Sequence, residues 1–355
     1  MTEYSDVVAD IGGTSLRIAR MAPGASTVTR LCRVPTEGLG RYPDAGADEL
    51  QQRVVAQLAA ELGGYLRSSR GEGARAVGLS FAGPMTESGV VVAAPTIWGA
   101  GGAPLHLTSV LESALGVPVV VANDVTAAAW RYAADEPEPF CLFTVSSGIG
   151  CKVFRRGEVL VDAAGYGGEI GHWQVDPTAT APRCDCGGRG HLGAIASGRG
   201  ILAAARRAAR ERPDDFARSA LCTTAQGAPE RITNEDLAAA VRGGDPFATG
   251  VLAAALRPLA AAVGSIFAAI GVRRFVFIGG FAVAAGQRFI EVLGDHLVAS
   301  GCFGLEPPQV RAMLALGAAA DDDCLVGMGR LLACRLPRPQ RRAPADRRWP
   351  VGVAP

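Results

Sequence analysis

The chain has 355 residues, 49% of them hydrophobic and 19% charged, with a formal net charge of +1. That length fits two domains or one large one with ample core material. The near-neutral charge gives no electrostatic basis for a nucleic-acid or anionic-membrane partner, so a small-molecule ligand is expected. Nine cysteines at irregular spacings do not make the disulfide framework of a short secreted domain. The N-terminus shows neither a basic region nor an apolar signal segment, and apolar runs elsewhere are broken by Gly, Arg or Pro. Reduced thiols, a cytoplasmic location and no membrane span are the expectations.

In chain order, residues 7–11 read as a short buried strand, Gly12 and Gly13 as a hairpin turn, and 16–21 as the partner strand. Residues 48–68 set Leu50, Val54, Val55, Leu58, Leu62 and Leu66 at helical spacing. Strands are expected at 76–81 and 117–121 with a helix over 103–115 between them, and 125–132 reads as a helix. A second strand pair, 140–146 and 151–155, again flanks a glycine turn. Residues 206–228 are polar and poorly periodic and read as a loop or a loose helix. A helix over 232–241 opens with Thr233, an N-cap candidate with Asp236 three residues on. A long helix over 247–270 precedes a strand over 274–278 that ends in Gly279 and Gly280. From about Leu336 the chain mixes Pro and Arg without periodicity, as a disordered tail does. The alternation predicts an α/β protein in two parts: an N-terminal domain 1–122, a C-terminal domain 123–335, and a tail 336–355. No solenoid repeat is present, but the unit of strand, glycine turn and strand near residue 10 recurs near residue 145.

That recurrence is where chemistry enters. Asp10-Ile11-Gly12-Gly13-Thr14 puts a carboxylate at a strand end, followed by two residues without Cβ, where backbone N–H groups can approach phosphate oxygens. Ser146-Ser147-Gly148-Ile149-Gly150 offers hydroxyls and a second glycine turn. One Gly-Gly hairpin is ordinarily only a hairpin; two, each carrying Ser or Thr, point to phosphate binding. Asn123-Asp124 follows an apolar strand and precedes a helix, where open α/β sheets place ligands, although both residue types are also preferred helix N-caps. Cys184, Cys186 and His191 begin twelve residues after a Glu169-Ile170-Gly171-His172 run, at a spacing that suits a metal clip; the alternative is loop thiols and a surface histidine. Lys152, the chain's only lysine, would reach a phosphate from its strand, though a strand-edge lysine is more often solvated.

Taken together, Asp10 to Thr14, Asn123-Asp124-Val125-Thr126-Ala127-Ala128-Ala129, Gly168-Glu169-Ile170-Gly171-His172 and Cys184-Asp185-Cys186-Gly187-Gly188-Arg189-Gly190 resemble the ROK family of sugar kinases and repressors. Gly279-Gly280 and Leu316-Gly317 resemble its nucleotide-side glycine turns. The resemblance runs from about residue 6 to residue 333. It implies an α/β, actin-like and hexokinase-like (ribonuclease H-like) two-domain ATPase fold, closing over a cleft for ATP and a sugar. It implies further that Asp124 is the base for the attacking hydroxyl, a role phosphoryl transfer requires. Asn123, Glu169 and His172 would bind other hydroxyls of the substrate. ATP and Mg²⁺ would be served by Asp10, Gly12, Gly13, Thr14, Ser147, Gly148, Gly279 and Gly280, with Asp10 acting on the metal through water. A structural Zn²⁺ would be held by His172, Cys184, Cys186 and His191, the last standing where the family has a third cysteine.

This chain also departs from the family pattern. Gly193 occupies the place of a glutamate that binds sugar hydroxyls near the anomeric end, and loss of such an acceptor alters discrimination strongly. Ser146 replaces a usual glycine and Cys151-Lys152 replace following ones, while Ser147 keeps the hydroxyl of the family's threonine. The expected activity is ATP-dependent phosphorylation of a primary hydroxyl on a hexose or a hexose-like carbasugar or C7-cyclitol. An ordinary glucokinase or N-acyl-hexosamine kinase is the alternative. A non-catalytic sugar-binding regulator is the competing class, but only nine residues precede Asp10, too few for the family repressors' winged helix-turn-helix. The expected partners are the small-molecule substrate and, as is common in the family, a second copy in a homodimer.

Overall fold

A computed structural model describes residues 5–68, 74–99, 101–133, 138–155, 158–160 and 167–336. Apart from Leu336, the expected tail lies outside the described residues. The first half of the chain forms β1 (Ser5–Ile11), β2 (Ser15–Met21), β3 (Thr29–Pro35), α1 (Ala47–Ser68), β4 (Ala74–Phe81), the short pair β5 (Val90–Val91) and β6 (Leu105–His106), α2 (Leu107–Leu115), β7 (Val119–Asn123) and α3 (Asp124–Tyr132). The second half opens with β8 (Phe140–Val145), β9 (Ile149–Arg155) and β10 (Glu158–Val159). It continues through α4 (Leu192–Ala196), α5 (Gly198–Glu211), α6 (Pro213–Ala217), α7 (Ala220–Thr224), α8 (Asn234–Arg242) and α9 (Pro246–Ile270). The chain then runs through β11 (Phe275–Ile278), α10 (Gly280–Ala285), α11 (Gln287–Ser300), α12 (Pro307–Ala312), β12 (Leu314–Leu316) and α13 (Asp323–Arg335).

Two five-stranded mixed sheets carry the architecture, in the orders β3-β2-β1-β4-β7 and β10-β9-β8-β11-β12. In each, the first three strands are antiparallel and the last two add in parallel. The echo between residues 10 and 145 is therefore an echo of whole sheets, as the actin-like plan demands.

The first sheet is covered on both faces, which explains why β1 is apolar at nearly every position rather than at every second one. Val7, Ala9 and Ile11 point toward Leu50, Val54, Leu58 and Leu62 of α1. Val8, facing the other way as the pleat requires, joins Ala127 of α3 and Leu325, Met328 and Leu332 of α13. The C-terminal helix thus returns to the N-terminal sheet, a long-range contact that a division of the chain at residues 122 and 123 does not show.

The second unit is built around α9. By length and composition α9 would cross a membrane, which the sequence reading had discounted because Arg257 and Pro258 interrupt the run. In the fold its Leu252, Leu256, Leu259 and Val263 are buried in the core, so its apolar character serves packing. Of the two readings of residues 206–228, loop or loose helix, the helical one holds: they contain the end of α5, then α6 and α7, two short helices that bury Phe216 and Leu221. The helix expected over 103–115 begins only at Leu107, because residues 105 and 106 form β6 instead. The capping box of Thr233 and Asp236 is formed as expected.

Candidate active site

The parallel strands β1, β4 and β7 end in register, with Asp10 beside Ser80, and Phe81 beside both Ile11 and Asn123. Three strand ends therefore deliver their side chains to one crevice. Asp10, only 8% exposed, accepts a 2.6 Å bond from Ser80 Oγ on one oxygen. Its other oxygen forms a 2.6 Å ion pair with Arg17 of β2. Arg17 also reaches Asp321, at 2.7 Å, just ahead of α13. Burial works against the charge on Arg17, but the Asp10 carboxylate outweighs it and holds the guanidinium firmly protonated. Neither Arg17 nor Ser80 was singled out by sequence; both are set seven or more residues from Asp10, and only strand pairing brings them together.

Asn123 performs the capping that sequence left open. Its Oδ1 accepts from the N–H groups of Val125 and Thr126, at 3.1 and 3.4 Å. Its Nδ2 donates to the Gly83 carbonyl at 3.0 Å and to Asp124 Oδ1 at 2.8 Å. Both amide hydrogens are thus engaged, and one of them holds the neighbouring carboxylate. Asp124 also accepts from the Val125 N–H at 2.9 Å. Burial, followed by the negative charge of Asp10, raises its pKa from 3.8 to about 6. Cys324, at the start of α13, lies 3.5 Å from the Asp124 carbonyl; burial, then Asp10 and Asp124, keeps its thiol protonated.

The two turns read as phosphate-binding follow β1 and β8. In the first, a Cβ on Gly12 would meet nothing within 4 Å, whereas one on Gly13 would lie 2.4 Å from the Thr96 carbonyl. Gly12 is the open position, and Gly13 is glycine because the protein's own backbone occupies that space. Thr14 is exposed beside them. In the second turn Ser146, Ser147 and Gly148 are all exposed. The Ser146 carbonyl accepts from Gly198 N–H at 2.8 Å, tying the turn to the start of α5, where Ser197 is the N-cap. Strand β11 runs parallel to β8 and brings Gly279 against the Val145 carbonyl, with φ of +94°; Gly280 then opens α10. Gly317 is packed against Tyr132 and Ile278. Tyr132 bridges this region, donating to Asp323 and accepting from the Ala318 N–H, both at 2.9 Å. Sequence signalled the glycines, but not Ser197, Gly198 or Tyr132.

A groove of about 450 Å³ beside β7 is lined by Asn123, Thr126, Trp130, Lys152 and Glu169, among others. Lys152, expected to be solvated, is instead 4% exposed. Its ammonium donates to the Gly167 carbonyl at 2.5 Å. Glu169 itself is exposed, and so is His172, at the end of a 3-10 turn. A Cβ on Gly193 in α4 would lie 3.1 Å from the Gly171 carbonyl. The missing side chain therefore lets α4 close against the turn that carries Glu169 and His172.

His172, Cys184, Cys186 and His191 do come together, with one ligand atom from each all within 4.8 Å of one another. The Cys184 sulfur is 3.7 Å from His172 Nδ1, and the Cys186 sulfur 3.3 Å from His191 Nδ1. Tetrahedral zinc with bonds of about 2.0–2.3 Å requires ligand separations of roughly 3.3–3.8 Å; the two His–Cys separations lie in that range, and two thiolates with two imidazoles are a donor set such an ion accepts. The residues between them form a knuckle closed by Cys184 N–H to Gly188 and Gly187 N–H to Cys184.

Comparison with known proteins gives a consistent result. The ROK family model matches residues 41–301. The chain is 59% identical over 334 residues to a C(7)-cyclitol 7-kinase from Streptomyces hygroscopicus subsp. limoneus, covering 94% of this chain and 95% of that protein. It is 32% identical over 338 residues to a 2-epi-5-epi-valiolone 7-kinase from an Actinoplanes species, with 91% of each chain covered. Among solved structures, a ROK family glucokinase from Streptomyces griseus in complex with glucose and AMPPNP has a TM-score of 0.72 at 24% identity, covering 92% of this chain and 98% of that one.

Proposed function

This chain belongs to the ROK family and is a kinase acting on sugar-like substrates; we propose that its acceptor is a C7-cyclitol, phosphorylated by ATP at the hydroxyl that its relatives' names number 7. The observation that carries this reading is the 59% identity to a C(7)-cyclitol 7-kinase across 94% of the chain. The close approach of Gly193 to the Gly171 backbone supports it. No carboxylate stands at 193 to receive hydroxyls near an anomeric carbon, and a carbocycle has no anomeric carbon.

In this reading Asp124 accepts the proton of the attacking hydroxyl as the bond to phosphorus forms. Its pKa of about 6 leaves it ionised at neutral pH while making it a better proton acceptor than an ordinary aspartate. Asn123 aims that carboxylate through the 2.8 Å bond from its Nδ2. Glu169 and the second ring nitrogen of His172 bind other ring hydroxyls. Backbone N–H groups at Gly13, Gly148, Gly279 and Gly280, with the hydroxyls of Thr14 and Ser147, stabilise negative charge on the phosphates, while Gly12, whose N–H is given to the Ser15 carbonyl, leaves open space beside them. Mg²⁺ bound with the nucleotide would supply further charge neutralisation at the transferring phosphoryl group. Asp10, whose two oxygens are held by Ser80 and Arg17, would orient that ion's water rather than bind it directly. The cluster of His172, Cys184, Cys186 and His191 would hold Zn²⁺ with no open position, as a clip on the turn bearing Glu169.

The test is ADP release by purified protein and ATP with glucose, mannose, N-acetylmannosamine and valiolone-type cyclitols. The highest kcat/KM is expected for a cyclitol; a strong preference for glucose refutes the reading.

A further inference from the structure

We propose that Lys152 recognises the acceptor directly, donating hydrogen bonds from its ammonium to a hydroxyl oxygen on the ring of the polyol seated between Asn123 and Glu169. This rests on the acceptor lying in the groove that these residues line.

The ammonium is almost wholly removed from solvent, with Lys152 4% exposed. It has three donors, yet among the described residues it makes one hydrogen bond, to the Gly167 carbonyl, and no ion pair with any described carboxylate. A buried charge with donors to spare and no counter-ion is costly to maintain. Its side chain opens on the groove shared with Asn123, Thr126 and Glu169, where an arriving ligand would supply the missing acceptors.

The surroundings also indicate the kind of ligand. Glu87, Glu158 and Glu169 line the groove against Lys152 and Arg335, so three carboxylates face two cations. That balance disfavours an anion such as phosphate and suits an uncharged, oxygen-rich ring. Lys152 donates and Glu169 accepts, and the two are built as one unit. Gly168, at φ of +76°, has no Cβ, and one built there would sit 3.2 Å from Lys152 Cδ. The lysine stem therefore packs along the turn that presents Glu169. A hydroxyl placed between them gives its proton to Glu169 and receives one from Lys152.

Lys152→Met keeps the stem and removes the donors. Hydrogen bonds to charged groups correspond to about tenfold to a hundredfold in affinity. The expected result is an acceptor KM raised by that factor, an unchanged KM for ATP, partial rescue by Lys152→Arg, and a thermal midpoint no lower than that of the wild type. Because Lys152 also holds the Gly167 carbonyl, acceptor analogues each lacking one hydroxyl separate contact from positioning. If the contact is direct, one analogue loses little further in Lys152→Met while the others lose the full factor. An equal loss for every analogue, or an unchanged acceptor KM, overturns the proposal. The measurement uses whichever sugar-like acceptor the wild-type enzyme turns over, so failure of the cyclitol reading is seen separately, in the wild-type substrate panel.

Discussion

Asp124→Asn changes one oxygen to an amide nitrogen in the crevice and should affect activity and stability in opposite directions. Loss of the base is expected to lower kcat by about 10²–10⁴, with acceptor binding retained because the side chain keeps its shape. For stability, the relevant quantity is the displacement of the carboxyl pKa from 3.8 to about 6 by burial and by Asp10. An unfolded chain releases this proton near 3.8 and the folded one near 6, so between those values the folded state holds more protons. Unfolding free energy attributable to Asp124 therefore falls as pH rises through that window. At pH 7 the cost to the native state is at most about 3 kcal/mol, reduced to the extent that solvent reaches the group. The variant should thus be more stable than wild type at pH 7, and the difference should shrink toward zero below about pH 4. Coupled ADP release and urea unfolding at pH 7.5 and pH 4 measure the two effects. The wild-type kcat should also fall as pH drops below about 6. A variant active to within a few-fold of wild type removes Asp124 as base, and a stability advantage over wild type no larger at pH 7.5 than at pH 4 refutes the electrostatic account.

Three further outcomes follow from the same geometry. Elemental analysis should find one zinc per chain, and Cys184→Ser should release it with a lower thermal midpoint and a raised acceptor KM, since Glu169 and His172 share the clipped turn; folded, active protein without zinc refutes the clip. Tyr132→Phe removes the phenol between Asp323 and the Ala318 N–H and should cost about 1–3 kcal/mol in urea unfolding; no change would mean that water or relaxation replaces both bonds. Gly12→Ala should fold normally and raise the KM for ATP, whereas Gly13→Ala, with its Cβ 2.4 Å from the Thr96 carbonyl, should destabilise the chain; equal stability of the two would show that the turn carrying Thr96 yields.

Much of the fold was legible because its signals are local. Apolar runs of strand length, Gly12-Gly13 and the Thr233 capping box each depend on neighbours a few residues away. The twofold echo was visible for the same reason. What escaped notice depends on distant partners. Residues 206–228 could be read as loop or loose helix but not divided into elements, because α6 and α7 are one turn and a half each, too short for periodicity. Helix α13 shows no sign in its own residues that it covers β1 and β4. At the site, Asn123 and Asp124 were legible as a pair, with capping and ligand binding as competing readings. The structure shows capping and support of Asp124 in one side chain.

The sequence by itself determined most of the element types, the α/β class, the family and the quartet of His172, Cys184, Cys186 and His191 as a group, because periodicity, turn chemistry and motif spacing are properties of short stretches. Only the tertiary structure decided the electrostatics. Asp10 is neutralised by Arg17 and held by Ser80, Asp124 titrates near 6, and the lone lysine is buried beside the groove lined by Asn123 and Glu169 rather than solvated. Charge interactions and desolvation depend on distance and burial in three dimensions, and neither is written in the order of residues along the chain.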